Sequence, residues 1–178
     1  LYAYINQPEK RAFPEMNQYD LALRLLGLLG SSTAAILQTI KGIVKRLQGL
    51  ENAADELSQW QEIQTAAESI PQDAKAGELL TVLKQGFSLM KKTGAKQKAV
   101  IFTESVETQK MLQNLLSDRY RTLAYNGSAD YSVIHQFKED GDVLISTDNG
   151  AKGFNLEEAA FIIHYDLPYN TLKLEQRI

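Results

Sequence analysis

Apolar positions along this chain recur with two different periods, and the change between them falls near Lys92. Before that point the recurrence is helical. Leu1, Tyr4 and Ile5 share one side of what reads as the end of a helix within residues 1–11, interrupted at Phe13-Pro14. Leu21, Leu25, Leu28 and Leu29 stripe a helix over residues 19–29, and Ile36, Ile40, Ile43, Val44 and Leu47 stripe another over 34–50. Gly30 is expected to end the first of these in a left-handed turn. Ser31 or Ser32 then caps the next by accepting from its free N–H groups. Residues 51–70 are polar with scattered anchors at Leu57, Trp60 and Ile63, which predicts a loosely packed helix or a mobile linker. Trp60 is read as the residue pinning that segment, with a base-stacking platform as the other reading. After Pro71-Gln72-Asp73, the stripe Leu79, Leu80, Leu83, Phe87, Met90 predicts a helix over 74–92 that lies on a sheet.

Beyond Lys92 the apolar runs shorten. Residues 99–102, 121–125, 143–145 and 161–163 are too short for helices and rich in branched or aromatic side chains, which predicts strands. The unbroken runs Val143-Leu144-Ile145 and Phe161-Ile162-Ile163 read as central parallel strands covered on both faces. Helical stripes at 106–116 and 130–139 alternate with them. The fold class is therefore α/β, a parallel sheet of at least four strands layered by helices and preceded by an α-helical region. The boundary is placed at the polar turn 91–98, dividing a helical region, residues 1–92 with 51–73 as its mobile part, from an α/β lobe, residues 93–178.

Both unbroken runs are followed by residues wasteful on a buried surface: Ser146-Thr147-Asp148-Asn149-Gly150 after the first and His164-Tyr165-Asp166-Leu167-Pro168 after the second. Ligands of open α/β sheets sit at the carboxyl ends of strands, so these loops are the candidate site. Gly150 and Gly153 flank Lys152 and would let backbone N–H groups approach an anion or another chain. By itself that spacing is equally an ordinary loop. Neither GxGxxG nor GxxxxGK[ST] occurs in the chain.

Taken together, Lys98-Ala-Val-Ile-Phe-Thr-Glu104, Tyr125-Asn-Gly127, Phe137, Ser146-Thr-Asp-Asn-Gly-Ala-Lys-Gly-Phe-Asn-Leu156, Tyr165-Asp-Leu-Pro168 and Leu174-Glu-Gln-Arg177 resemble the second RecA-like lobe of a superfamily-two helicase. Within that superfamily the string is most similar to the bacterial Swi/Snf-like DNA translocases. The resemblance covers residues 92–178, and LLGLLGSSTAAILQTIKGIVKRL extends it toward residue 17. It implies a nucleic-acid-dependent ATPase as parent, with ATP and Mg held mainly by a first RecA-like lobe and completed by this one. On that footing Gly153 and Asn155 approach the nucleotide, and Thr147 and Asp148 couple the nucleotide site to DNA. The loop Thr103, Glu104, Ser105 faces nucleic acid, and Gln176 and Arg177 open an arginine motif whose later arginines would reach the γ-phosphate. Capping remains the other reading for Thr103 or Ser105, and loop capping for Asp148 and Asn155. Relatives carry an arginine where this chain has Asp130, a departure that bears on either a salt bridge or a lobe-to-lobe contact.

Composition narrows the picture further. No cysteine occurs and the two histidines, His135 and His164, are isolated, so neither thiol chemistry nor a metal site is expected. The formal charge is −3; residues 1–93 carry ten basic and ten acidic side chains, and residues 94–178 nine and twelve. A net acidic lobe is expected to bind double-stranded DNA weakly on its own. Lys91, Lys92, Lys96 and Lys98 form the one concentrated positive patch, while Lys41, Lys45 and Arg46 give the third helix a basic face, read as solvated or as touching a phosphate backbone. No run is apolar enough to span a membrane. The start Leu1-Tyr2-Ala3-Tyr4 lacks both an initiating Met and a leader pattern, so a piece of a longer cytoplasmic protein is expected. That piece, broken off within the arginine motif, is expected to be inactive by itself and to take up no cofactor. The competing readings are a DEAD-box-like RNA helicase lobe and a non-catalytic scaffold that recruits a protein partner.

Overall fold

The computed structural model describes residues 1–71, 73–127, 131–147 and 159–168. The chain divides between Asp73 and Ala74 into two compact units.

The first unit is helical: α1 (Tyr2–Ile5), α2 (Gln18–Ser31), α3 (Thr33–Leu47) and α4 (Ala54–Glu68). The expected helix at the start shrinks to one turn, because Pro8 lacks an N–H to continue the ladder and disfavours helical backbone at Gln7. Gly30 does not end α2. The helix runs on to Ser31, the chain reverses at Ser32 in extended backbone, and the Ser32 hydroxyl caps α3 by accepting from the Ala35 N–H at 3.1 Å. Residues 54–68 are not loose either. Trp60 is fully buried and packs edge-on against Tyr4 at 4.7 Å, within a core that includes Leu21, Leu25, Ile36 and Leu47. The burial of Trp60 makes it the pin of α4 and leaves no face for a stacking base. The Tyr4 hydroxyl donates to Glu56 at 2.6 Å. Burial, reinforced by the Glu56 carboxylate, pushes that phenol well above its ordinary range.

The second unit holds α5 (Ala74–Thr93), β1 (Ala99–Thr103), α6 (Val106–Leu116), β2 (Thr122–Tyr125), α7 (Ser132–Asp140), β3 (Val143–Thr147) and β4 (Phe161–His164). The strands form a parallel sheet in the order β2-β3-β1-β4. Side chains alternate across it as the pleat requires. Ala99, Ile101, Val143 and Ile145 face one layer with Leu79 and Leu83 of α5 and Leu112 and Leu116 of α6. Val100, Phe102 and Leu144 face the other, with Ile134 and Phe137 of α7. The stripe on residues 74–92 does lie on the sheet, so α5 belongs to this unit and the expected boundary at Lys92 falls inside it. β3 is central, between β2 and β1. β4 is not: among the described residues it pairs only with β1, and its four residues are half-buried. A short apolar run is compatible with an edge strand that is covered by a helix, which is why the sequence could not separate the two.

Lys98 leaves the positive patch expected at the unit's first turn. Its ammonium donates to the carbonyls of Phe137 at 2.5 Å and Gly141 at 2.8 Å, closing the carboxyl end of α7 where a cation meets the negative end of the helix dipole.

Candidate functional site

Parallel register brings the strand ends together at one edge. Thr103 of β1 stands opposite Thr147 of β3, Phe102 opposite His164 of β4, and Tyr125 of β2 opposite Ser146. The loops singled out from sequence therefore leave neighbouring strands side by side, and the structure assembles Thr103, Glu104, Ser105 and Thr147 at that edge. Asp148, Gly153, Asn155, Gln176 and Arg177 lie outside the described residues, as does Asp130.

The centre of this edge is Asp166, only 8% exposed. One carboxylate oxygen accepts from the Thr103 hydroxyl at 2.6 Å and from the Glu104 N–H at 3.0 Å; the other accepts from Lys75 of α5 at 2.8 Å. Lys75 also lies over the Tyr165 ring, 4.1 Å from its centroid. A carboxylate this buried is stable only when its charge and lone pairs are matched, and here a cation and two donors match them. The group ties the loop after β4 to the loop after β1 and to the first turn of α5.

That arrangement sorts the loop 103–105. Thr103 is fully buried with its hydroxyl committed to Asp166. The Ser105 hydroxyl caps α6, accepting from the Thr108 N–H at 3.3 Å. The Glu104 side chain is exposed. Thr147 is buried, and its carbonyl accepts from the Ser146 hydroxyl at 3.1 Å.

Three residues that bear on the site were not among the candidates. Asp166 stood inside a quoted motif but carried no assigned role, and Lys75 gave no signal because it is brought to the site from 91 positions away. Gln109 of α6 carried no assigned role. It is buried, and its amide donates to the carbonyls of Tyr125 at 3.0 Å and Ile145 at 2.7 Å, bridging the end of β2 and the middle of β3. His164 stacks on Phe102, with centroids 5.7 Å apart, and burial lowers its pKa, so the imidazole is neutral near pH 7.

A parallel sheet whose polar loops cluster at the carboxyl ends of its strands is the architecture of nucleotide-handling α/β proteins. The chain belongs to the helicase conserved C-terminal domain family, whose model matches residues 77–178. It is similar to an uncharacterized ATP-dependent helicase of Bacillus subtilis, YqhH, with 32% identity over 154 residues, 83% of this chain and 26% of that protein. It is 26% identical to the RNA polymerase-associated protein RapA of Vibrio vulnificus over 174 residues, 93% of this chain and 16% of that one. The DEAD-box ATP-dependent RNA helicase RhpA of Helicobacter pylori is 32% identical over 92 residues, 48% of this chain and 19% of that protein. Among solved structures, the helicase domain of Pyrococcus furiosus Hef shares the fold with a TM-score of 0.61 at 20% identity, covering 90% of this chain and 36% of that one. The chain thus spans about a quarter or less of these curated relatives. The RecA-like fold expected from the sequence is the fold observed.

Proposed function

We propose that the chain is the second RecA-like lobe of a Swi/Snf-like ATPase that moves along double-stranded DNA, and that its nucleotide site is complete only when a first lobe closes on it. The observation that carries the reading is the alignment of strand ends, which sets Thr103 beside Thr147 and fixes the loops of β1 and β4 to each other through Asp166. A lobe that transmits closure on ATP to nucleic acid needs those loops to move as one piece. In this account Gly153 and Asn155 meet the nucleotide, Thr147 and Asp148 couple it to DNA, and Gln176 and Arg177 begin the arginine motif. Thr103 acts by holding its loop, leaving Glu104 and Ser105 as the part that meets the strand. ATP and Mg belong to the parent, where positioning and charge neutralisation supply the chemistry; the chain alone is inactive and binds duplex weakly. No helix among the described residues is long and apolar enough to cross a membrane, and we place the protein in the cytoplasm.

Preference for the Swi/Snf-like reading over a DEAD-box-like lobe rests on extent, and duplex DNA as the substrate is carried by the motif resemblance drawn from the sequence. A match over 83% or 93% of the chain, as with YqhH and RapA, cannot be confined to residues 74–178 and so takes in part of the helical unit. The match to RhpA covers 48% and is short enough to fit within the α/β unit. That same match is what favours RNA as the second reading. The test is ATP hydrolysis by the full-length parent with duplex DNA, single-stranded DNA or RNA added. Duplex DNA is expected to stimulate most. Greater stimulation by RNA would transfer the chain to the second reading, and hydrolysis unaffected by any nucleic acid would end both.

A further inference from the structure

The basic face of α3 was left without a role, and the helical unit puts part of it into a built cleft. A groove of about 500 Å³ runs between the loop before α2 and the faces of α2 and α3, with Arg24 and Arg46 both lining it. Its size falls in the range of ligand sites. Gln38, Gly42 and Arg46 recur at four-residue intervals along α3, so amide, open backbone and guanidinium face the groove in register. A Cβ at Gly42 would meet nothing within 4 Å, so the floor is open to an incoming group.

The wall of the groove is held in place. Glu56 of α4 accepts from the backbone N–H groups of Arg11 at 2.8 Å and Ala12 at 3.0 Å, fixing the loop that carries Phe13. Phe13 packs against Tyr4 and Trp60, and the Arg46 guanidinium lies over the Phe13 ring, 5.4 Å from its centroid. A guanidinium stacked on a fixed ring is pre-oriented, and a guanidinium can form paired bonds to phosphate oxygens through its N–H edges. Neither Arg24 nor Arg46 forms an ion pair with a described carboxylate. Among the described residues, the one carboxylate in the lining is Glu15. Lys41, by contrast, is drawn to Glu68 at 3.7 Å.

We infer that this groove binds a phosphodiester of the nucleic-acid backbone, clamped between Arg24 and Arg46. The inference rests on the proposed nucleic-acid-dependent activity and adds a contact outside the α/β unit, with a ligand class of phosphate esters. Phosphate contacts of this kind hold and position a strand without reading its sequence.

The test uses the full-length parent and duplex DNA, followed by fluorescence anisotropy across a salt series. Arg24→Gln with Arg46→Gln is expected to weaken binding on the order of 10-fold at low salt and to reduce the salt slope by about 2, the release expected for two phosphates. Gly42→Glu places a carboxylate in the groove where the fold has room for it, and is expected to weaken binding likewise; Glu15→Gln is expected to tighten it about 2-fold. Unchanged affinity and slope in both the arginine and Gly42 variants, with wild-type hydrolysis still stimulated by nucleic acid, would overturn the groove alone. Wild-type hydrolysis indifferent to nucleic acid would overturn the groove together with the proposed function. Loss of inorganic phosphate binding by calorimetry, with DNA titrations unmoved, would identify a free-anion site and overturn the assignment to a backbone phosphodiester.

Discussion

Asp166 shows how much of the site depends on one buried charge. Asp166→Asn keeps the shape but removes the negative charge that Lys75 meets and weakens two hydrogen bonds; because Lys75 is partly exposed, the expected loss is about 2 kcal/mol rather than the larger cost of a fully buried pair. Thr103→Val removes only the hydroxyl and is expected to cost about 1 kcal/mol. Urea unfolding of each variant checks both. His164 adds a pH dependence whose sign follows from its lowered pKa. The unfolded chain takes up the proton near the ordinary value of 6.5 while the buried imidazole resists it, so the unfolded state binds more protons as pH falls below 6.5. This contribution is neutral above that pH and destabilising below it. His164→Phe preserves the stack on Phe102 and is expected to remove that part of the acid sensitivity, seen by comparing unfolding at pH 7.5 and 5.5. At this scale the sequence was only partly legible. Ser105 and Ser32 were readable as caps because capping is local. The partners of Asp166, Lys98 and Gln109 were not, because each is supplied by an element far away in the chain.

At the scale of elements, periodicity located the helices and strands well and their surroundings less well. The run at 143–145 announced a buried strand because both faces of β3 are covered, so each of its three positions is apolar. The same reasoning placed β4 at the centre, whereas among the described residues it pairs only with β1 and is half-buried, a position that shows the same short run. In α4 the polar composition suggested looseness, yet a single fully buried indole anchors it. Trp60→Ala is expected to cost about 3–5 kcal/mol, measured as a large fall in the unfolding midpoint of the helical unit. Gly86 fixes the approach of α5 to β4. A Cβ there would run into the Phe161 ring, so Gly86→Ala forces the ring or the helix to shift. The expected cost is about 1–3 kcal/mol despite the better helix propensity of alanine, and chemical denaturation of the α/β unit measures it.

At the scale of the molecule, the family model over residues 77–178 and the resemblance drawn from the motifs of residues 92–178 point to the same family. The functional account adds that the chain supplies one side of a nucleotide site. It contains no phosphate loop, and its formal charge of −3 gives it no general affinity for polyanions. The measurement that tests this most directly is a calorimetric titration of Mg-ATP into the chain by itself, run beside the same titration into the full-length parent. The expected result is heat of binding for the parent and none at micromolar ATP for the chain. Micromolar binding by the chain alone would contradict the account, because the fuel would then be held without the other lobe.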